Sequence, residues 1–166
     1  MSFLGFFKKT KISDLVPGKI YSIKGEIHSS RHLTLPPSGT QCVYYAMIEE
    51  RYGKGARGSG RPLWFPEKME SKRIDFTIKD DTGEIAVEES TDRFSVKSAR
   101  QESGLIKGNR KRRYFATTLN IGDVVIVRGC IESTSSDGRL LITAPTRSRL
   151  KVKVVRRANL SDQQAK

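Results

Sequence analysis

Hydrophobic and polar positions alternate most clearly in residues 72–88, KRIDFTIKDDTGEIAVE. The alternating apolar positions are Ile74, Phe76, Ile78, Ile85 and Val87. A period of two residues is typical of a half-buried strand. Residues 80–83, Asp-Asp-Thr-Gly, separate the two halves, and glycine there provides the positive φ that a short hairpin loop requires. The pattern therefore predicts a β-hairpin.

Similar strand patterns occur along the rest of the chain. They lie in residues 19–28, 41–51, 124–131, 139–144 and 150–154. Gly25 interrupts the first of them, as expected where a strand bulges or coils. Residues 41–51 are apolar on both faces, which indicates a central or doubly covered strand. Asp137 and Gly138 predict a second hairpin, and the polar residues 90–103 allow a short helix.

This inventory of strands indicates a barrel, because closure removes the unpaired edges of a sheet. We predict an all-β fold, a small antiparallel OB-fold-like β-barrel with at most one or two short helices. The 166 residues fit one domain. We expect an apolar and basic N-terminal segment at residues 1–12, the barrel at 13–157 and a flexible tail at 158–166.

The net charge of +13 indicates a class of ligand. It favours binding to nucleic acid or to an anionic membrane surface, although a basic surface that is only solvated gives the same number. Cys42 and Cys130 lie in separate apolar strand patterns, so we expect small buried side chains and no disulfide. The apolar runs are far shorter than the ~20 residues of a membrane span. We therefore expect a cytoplasmic protein.

The N-terminal segment offers one route to a membrane surface. Its apolar and basic side chains are Phe3, Phe6, Phe7, Lys8 and Lys9. Such a segment suits a short interfacial anchor on anionic lipid. The alternative is a terminal segment that packs on the barrel or in an oligomer contact.

Motifs for catalysis or cofactor binding are weak. The glycines at 53, 55 and 58 spell G-x-G-x-x-G, but Gly60 and Pro62 follow, so no helix N-terminus is available for a pyrophosphate. His28 and His32 lack the glutamate of a zinc-protease motif. The aspartates of residues 80 and 81 are explained by the turn. We predict no enzyme activity, no cofactor and no metal site.

Basic residues interleaved with aromatic ones are better candidates. A positive groove with aromatic faces is how many proteins hold single-stranded nucleic acid. The predicted nucleic-acid-binding residues form three clusters: Arg57, Arg61 and Trp64; Lys111, Arg112, Arg113 and Tyr114; and Lys151 and Lys153, followed by Arg156 and Arg157. We expect Trp64 to lie in a loop, and loops from the three clusters to converge on one face of the barrel.

Several short motifs resemble a known family. They are Leu33-x-x-Pro36-x-Ser38-Gly39-x-x-Cys42-Val43-Tyr44-Tyr45, then Trp64, then Phe76-x-x-x-Asp80-Asp81-x-Gly83, and later Arg113-Tyr114 with Leu119-x-x-Gly122-Asp123-Val124 and Gly129. The pattern resembles the GIDE ("beside-a-membrane") domain of mitochondrial ubiquitin ligases and prokaryotic membrane proteins. The resemblance implies an OB-like barrel used for interaction or sensing. It does not extend to a RING domain, which needs eight Cys or His ligands.

Two functions are thus predicted. One is a non-catalytic module that binds single-stranded DNA or RNA, or another polyanion, through its basic loops. The other is a membrane-adjacent module with a protein partner, as the GIDE resemblance implies, without ubiquitin ligase activity. An enzyme with unrecognised chemistry is a third, weaker alternative. The oligomeric state is left open.

Overall fold

The computed structural model describes residues 9–55, 60–88, 93–134 and 136–160. Within these ranges one short 3₁₀ helix spans Ile12–Asp14. The other regular elements there are thirteen strands: β1 (Ile20–His28), β2 (Leu33–Thr34), β3 (Gln41–Cys42), β4 (Tyr44–Gly53), β5 (Leu63–Arg73), β6 (Phe76–Lys79), β7 (Glu84–Val87), β8 (Phe94–Lys97), β9 (Arg100–Ile106), β10 (Asn109–Leu119), β11 (Val124–Ser133), β12 (Leu140–Thr143) and β13 (Leu150–Arg156).

The chain divides into two compact units. The first, called the barrel unit, comprises Met1–Ser30, Asp75–Ala99 and Asn120–Lys166. The second, called the sheet unit, comprises Arg31–Ile74 and Arg100–Leu119. Residues 13–157, predicted as one barrel domain, therefore contain a barrel whose sequence is interrupted twice.

The barrel unit confirms the predicted all-β, OB-fold-like architecture. Its strands follow the order β1-β6-β7-β12-β11, and β11 pairs again with β1, which closes a five-stranded barrel. β7 and β12 run parallel, and the other neighbours in the ring are antiparallel. The inward side chains of β11 and β13 are buried, as the alternation in the sequence predicts.

The predicted hairpin is confirmed as β6 and β7. Ile78 lies opposite Ile85, and both are buried. In the turn, one Asp80 carboxylate oxygen accepts hydrogen bonds from the backbone N–H groups of Thr82 at 2.7 Å and Gly83 at 3.0 Å. The other oxygen accepts the Ile12 N–H at 2.9 Å. Burial works to raise the pKa of Asp80, but these hydrogen bonds outweigh it and lower the pKa. Asp80 thus has a structural role.

Two further strands extend the barrel sheet beyond the ring. β13 pairs antiparallel with β11, and β8 pairs parallel with β13. The short helix expected within residues 90–103 is wrong for the part from residue 93 onward. That part forms strands β8 and β9, while residues 90–92 lie outside the described residues.

The sheet unit is built on an antiparallel sheet of order β5-β4-β10-β9. One face of this sheet carries a hydrophobic core, to which the short β2–β3 hairpin contributes. The core residues are Leu35, Cys42, Tyr45, Met47, Ile106, Tyr114 and Ala116. Residues 41–51 were expected to form a central or doubly covered barrel strand. Their strand is central, because it pairs with β5 and β10, but it is neither doubly covered nor part of the barrel. Their main strand, β4, lies in the sheet unit and is buried on one face only.

Of the two cysteines that were expected to be buried, only Cys42 is fully buried. Both cysteines are free, Cys42 buried and Cys130 half-buried. Burial, and to a smaller extent the charge of Glu102, raise the pKa of Cys42 to about 12. The thiol therefore stays protonated and behaves as a small apolar side chain.

Candidate nucleic-acid interface

The predicted site residues do not share one barrel face. Arg61, Trp64, Lys111, Arg112, Arg113 and Tyr114 belong to the sheet unit, and Lys151 and Lys153 belong to the barrel unit. Arg57 lies outside the described residues. The first two predicted clusters, apart from Arg57, are therefore brought together on one sheet, while the third stands on the barrel.

Strands carry most of these side chains, where loops were expected. Trp64 lies on β5 directly opposite Tyr52 of β4, so its predicted loop position is wrong. Lys111, Arg112 and Arg113 lie on β10. Successive side chains of a strand point to opposite faces, so neighbouring residues of this cluster have different surroundings.

Tyr114 points into the core and cannot stack on a ligand. Its side chain is only 6% exposed, and its hydroxyl donates to the Glu102 carboxylate at 3.1 Å. Burial raises the pKa of Tyr114, and the charge of Glu102 and this hydrogen bond raise it further. Tyr114 was predicted as a nucleic-acid-binding residue, and its buried ring has no free face for a base.

Arg112 lies on the same side of β10 as Tyr114 and is bound by two acids. Its guanidinium lies 3.4 Å from the Glu49 carboxylate and 3.3 Å from that of Glu67. These carboxylates offset part of its charge, so Arg112 contributes less to a positive surface than the sequence suggests.

Arg113 lies on the opposite face of the sheet, between aromatic rings. Its guanidinium carbon is 4.0 Å from the centre of the Trp64 ring and 5.0 Å from that of Phe115. The Trp64 ring is in turn 5.2 Å from the Tyr52 ring. Arg113 Nε donates to the Glu50 carboxylate at 2.6 Å, which holds the guanidinium in place. These four side chains, Tyr52, Trp64, Arg113 and Phe115, form what we call the planar row.

A groove of about 740 Å³ continues from the Phe115 end of the planar row over the same face. Ile48, Met69 and Phe115 provide its apolar surface, and Phe115 lies directly opposite Ile48. Its polar lining comprises Ser71, Gln101, Ser103 and Thr117. Glu70 and Glu102 also line it, and their carboxylates accept hydrogen bonds from the core residues Tyr45 and Tyr114. Met69 is 75% exposed and Phe115 is 44% exposed. This face, called the open face, therefore presents large apolar side chains to solvent.

Sequence reasoning missed Tyr52, Ile48, Met69 and Phe115. For Ile48 the signal was the apolar character of both faces of residues 41–51, which we interpreted as a central or doubly covered strand. A strand with one buried and one open apolar face has the same sequence pattern as a strand buried on both sides. Only the pairing of β4 with β5 and β10 separates the two cases.

Uncompensated positive charge gathers at one end of this sheet. The β4–β5 connection and the β9–β10 turn lie at the same end, because Gly53 pairs with Leu63 and Ile106 with Asn109. The exposed cations of this end, called the basic end, are Arg51, Lys54, Arg61, Lys107, Arg110 and Lys111. None of the six forms a salt bridge with a described residue. The planar row lies at this end of the open face.

The barrel unit carries the third cluster on β13. Lys151 and Lys153 are exposed, and they alternate with the buried Leu150, Val152 and Val154. The two lysines of this predicted cluster thus lie on the exposed side of β13.

Metal ligands do not gather in the described part of the chain. No group of three or more His, Cys, Asp or Glu side chains there could hold a metal ion. His28 lies 3.4 Å from the Glu26 carboxylate, and His32 is exposed.

The proposed membrane contacts of the N-terminal segment lie mostly outside the described residues. This holds for Phe3, Phe6, Phe7 and Lys8, while Lys9 is exposed. Within residues 9–55, 60–88, 93–134 and 136–160, no helix is long and apolar enough to cross a membrane.

Comparisons with protein-family models, with curated proteins and with solved structures gave no match to this chain. The resemblance to the GIDE domain stays a prediction.

Proposed function

We propose that the protein binds single-stranded nucleic acid on the open face of the sheet unit, without catalysing a reaction. The planar row carries this proposal. Exposed aromatic and guanidinium planes on a sheet face are the groups on which unpaired bases stack. Each stacked base contributes about 1–3 kcal/mol to binding.

Phe115 and Trp64 have separate roles in this scheme. Phe115 is 44% exposed, so a base can lie on its free surface next to the groove. Trp64 is half-buried between Tyr52 and Arg113, so it supports the guanidinium from behind. Because the Glu50 carboxylate orients Arg113, the guanidinium plane is fixed before the ligand arrives, which reduces the entropy lost on binding.

The basic end supplies the attraction for phosphates. Its six exposed cations lie at the same end of the sheet as the planar row, with Arg51 on the opposite face, and they have no acidic partner among the described residues. A strand whose bases lie on the open face can therefore place its phosphates near these side chains. Such contacts release counterions, so binding should weaken steeply as the salt concentration rises.

The polar side chains of the groove complete the proposed site. Ser71, Gln101, Ser103 and Thr117 offer donors and acceptors to base edges. This arrangement supports the binding of bases along the groove.

Trp64 provides a direct test, because it is the only tryptophan in the chain. We expect short single-stranded DNA and RNA oligonucleotides to change its fluorescence at low salt, and the effect to shrink as salt is added. Phe115→Ala should weaken binding by roughly 5- to 150-fold, as expected for one lost stacking contact. Val16→Ala, also an exposed apolar residue but in the barrel unit, is the matched control and should bind normally.

Two results would contradict the proposal. An unchanged Trp64 signal and no binding by anisotropy at low salt would exclude this face as a single-strand site. Equal losses in Phe115→Ala and Val16→Ala would also contradict it, since then the aromatic position is not special. Both variants change exposed side chains, so near-ultraviolet circular dichroism should confirm that they fold.

A further inference from the structure

The barrel unit carries a basic surface of its own, which has no part in the single-strand site proposed on the sheet unit. It is the outer surface of four neighbouring strands, β1, β11, β13 and β8. In β1, β11 and β13 alternate side chains are buried and the intervening ones point outward, while Lys97 at the end of β8 is exposed. The outward cations are Lys24, Lys97, Arg128, Lys151 and Lys153. We call this surface the outer basic face.

Strand register places these cations next to each other. Lys151 lies opposite Arg128 of β11, and Lys153 lies opposite Lys97 of β8. Lys24 lies opposite Ile126, which is also the partner of Lys153. Directly opposed side chains on neighbouring strands are only about 5 Å apart at Cβ, so two like-charged pairs face each other.

Four of these five cations have no acidic partner among the described residues. Lys24, Lys97, Lys151 and Lys153 form no salt bridge with a described residue. Glu26, the outward acid of β1, lies near His28 instead. Like charges placed directly opposite each other destabilise a sheet. A bound anion would relieve this repulsion, which gives the protein a physical reason to bind one here.

The chemistry of the face indicates which anion. Its outward positions on the four strands carry no Phe, Tyr or Trp, so unpaired bases have nothing to stack on. What the face offers is an array of point charges. A nucleic-acid duplex presents phosphates at one charge per about 1.7 Å of its axis and keeps its bases inside. Such contacts fix position without reading sequence.

We propose that the outer basic face binds the phosphate backbone of double-stranded nucleic acid, independently of sequence. This site is separate from the proposed single-strand site and does not rest on it. Lys151 and Lys153 are its central contacts because each has a second cation directly across the sheet. Lys24, Lys97 and Arg128 extend it to the neighbouring strands.

The test uses the full chain and a labelled blunt-ended DNA duplex, followed by anisotropy over a range of salt. The log–log slope of affinity against salt should become shallower by about 1.8 in Lys151→Gln/Lys153→Gln, because each lost phosphate contact removes about 0.9. The control Lys19→Gln/Arg139→Gln removes the same charge from exposed barrel-unit positions outside this face. It should leave the slope nearly unchanged.

A second measurement separates lost contacts from lost folding. Removing a repelled charge should not unfold the barrel, so Lys153→Gln should keep or raise the melting temperature at low salt. Adding duplex should raise the melting temperature of the unmodified protein more than that of the double variant, since ligands stabilise the state that binds them. The Trp64 response to short single strands should be the same in both.

Three results would overturn the inference. The first is an identical salt slope in the double variant and its control. The second is the absence of duplex binding at low salt. The third is binding to vesicles of anionic phospholipid that the double variant loses while it keeps duplex binding, because the face would then serve a membrane surface. If only the Trp64 response fails, the single-strand proposal falls and this one stands.

Discussion

At the scale of single residues, Glu70 shows how the sheet unit holds a charge on its covered side. The buried Tyr45 hydroxyl donates to the Glu70 carboxylate at 2.6 Å. The ammonium groups of Lys68 and Lys72 lie 2.8 and 3.1 Å from it. The hydrogen bond of Lys68, followed by those of Tyr45 and Lys72, lowers the pKa of Glu70 to about 2.

This pKa leads to a prediction for acid stability. In the unfolded chain Glu70 regains a pKa near 4.3, so between about pH 2 and pH 4.3 the unfolded state binds more protons. The contribution of Glu70 is therefore fully present above that window and is lost as the pH falls through it. Denaturant unfolding across this range should show a weaker pH dependence in Glu70→Gln. A pH dependence unchanged by that substitution would contradict the assignment.

Two of the predicted cations, Arg112 and Arg113, have different surroundings. Arg112 and Arg113 are adjacent in sequence, yet Arg112 binds Glu49 and Glu67 while Arg113 binds Glu50 and packs on two rings. Alternation along β10 gives them opposite faces. Charge in a run of basic residues is therefore a poor measure of how much of it a ligand meets.

At the scale of elements, close approach between strands decides where glycine is needed. A Cβ at Gly25 of β1 would lie 2.4 Å from the Lys79 carbonyl oxygen of β6, far inside van der Waals contact. The glycine predicted to allow a bulge or coil thus lets the first strand turn against its neighbour as the barrel closes. Backbone atoms cannot move aside as a flexible side chain can.

Gly25→Ala is therefore expected to destabilise the barrel by roughly 1–3 kcal/mol, the usual cost of forcing an atom into packed structure. Gly55→Ala is a suitable control, because its nearest neighbour would be a Phe65 ring atom at an ordinary 3.6 Å. Urea unfolding of both variants measures the difference. Equal stability of the two variants would show that β1 shifts without cost.

At the scale of the whole molecule, the barrel unit is continuous in space although its sequence is interrupted. At the first interruption, Ser29 Oγ donates to the Asp75 carbonyl oxygen at 3.3 Å. At the second, the Ala99 carbonyl oxygen accepts from Arg157 at 3.4 Å. The next residue, Ala158, donates to Asp123, which also binds the Asn120 N–H. At each interruption, the residues where the chain leaves and re-enters the barrel unit are thus held by hydrogen bonds within that unit.

We therefore expect the barrel to fold without the sheet unit. In this variant, short Gly/Ser linkers replace residues 31–74 and 100–119, and all five strands of the closed barrel remain. Cooperative thermal unfolding followed by far-ultraviolet circular dichroism should be retained, because short loops cost little closure entropy. A chain without a cooperative transition would show that the barrel depends on the sheet unit.

The sequence alone determined the elements whose pattern is local. Alternation identified the β6–β7 hairpin and the buried and exposed sides of β13, since side-chain direction in a strand follows from neighbours in the chain. The turn at residues 80–83 is likewise a property of four consecutive residues. The OB-fold-like class followed from counting such elements.

Only the tertiary structure decided which sheet each strand joined. β4 and β10 pair across 63 residues of sequence, as the Glu50–Arg113 contact shows, and no local pattern specifies that choice. The planar row and the opposed cations of the outer basic face both depend on such pairings. Local alternation fixes which side chains share a face of one strand. Long-range hydrogen bonding fixes which strands lie side by side, and each candidate site is formed by side chains of such neighbouring strands.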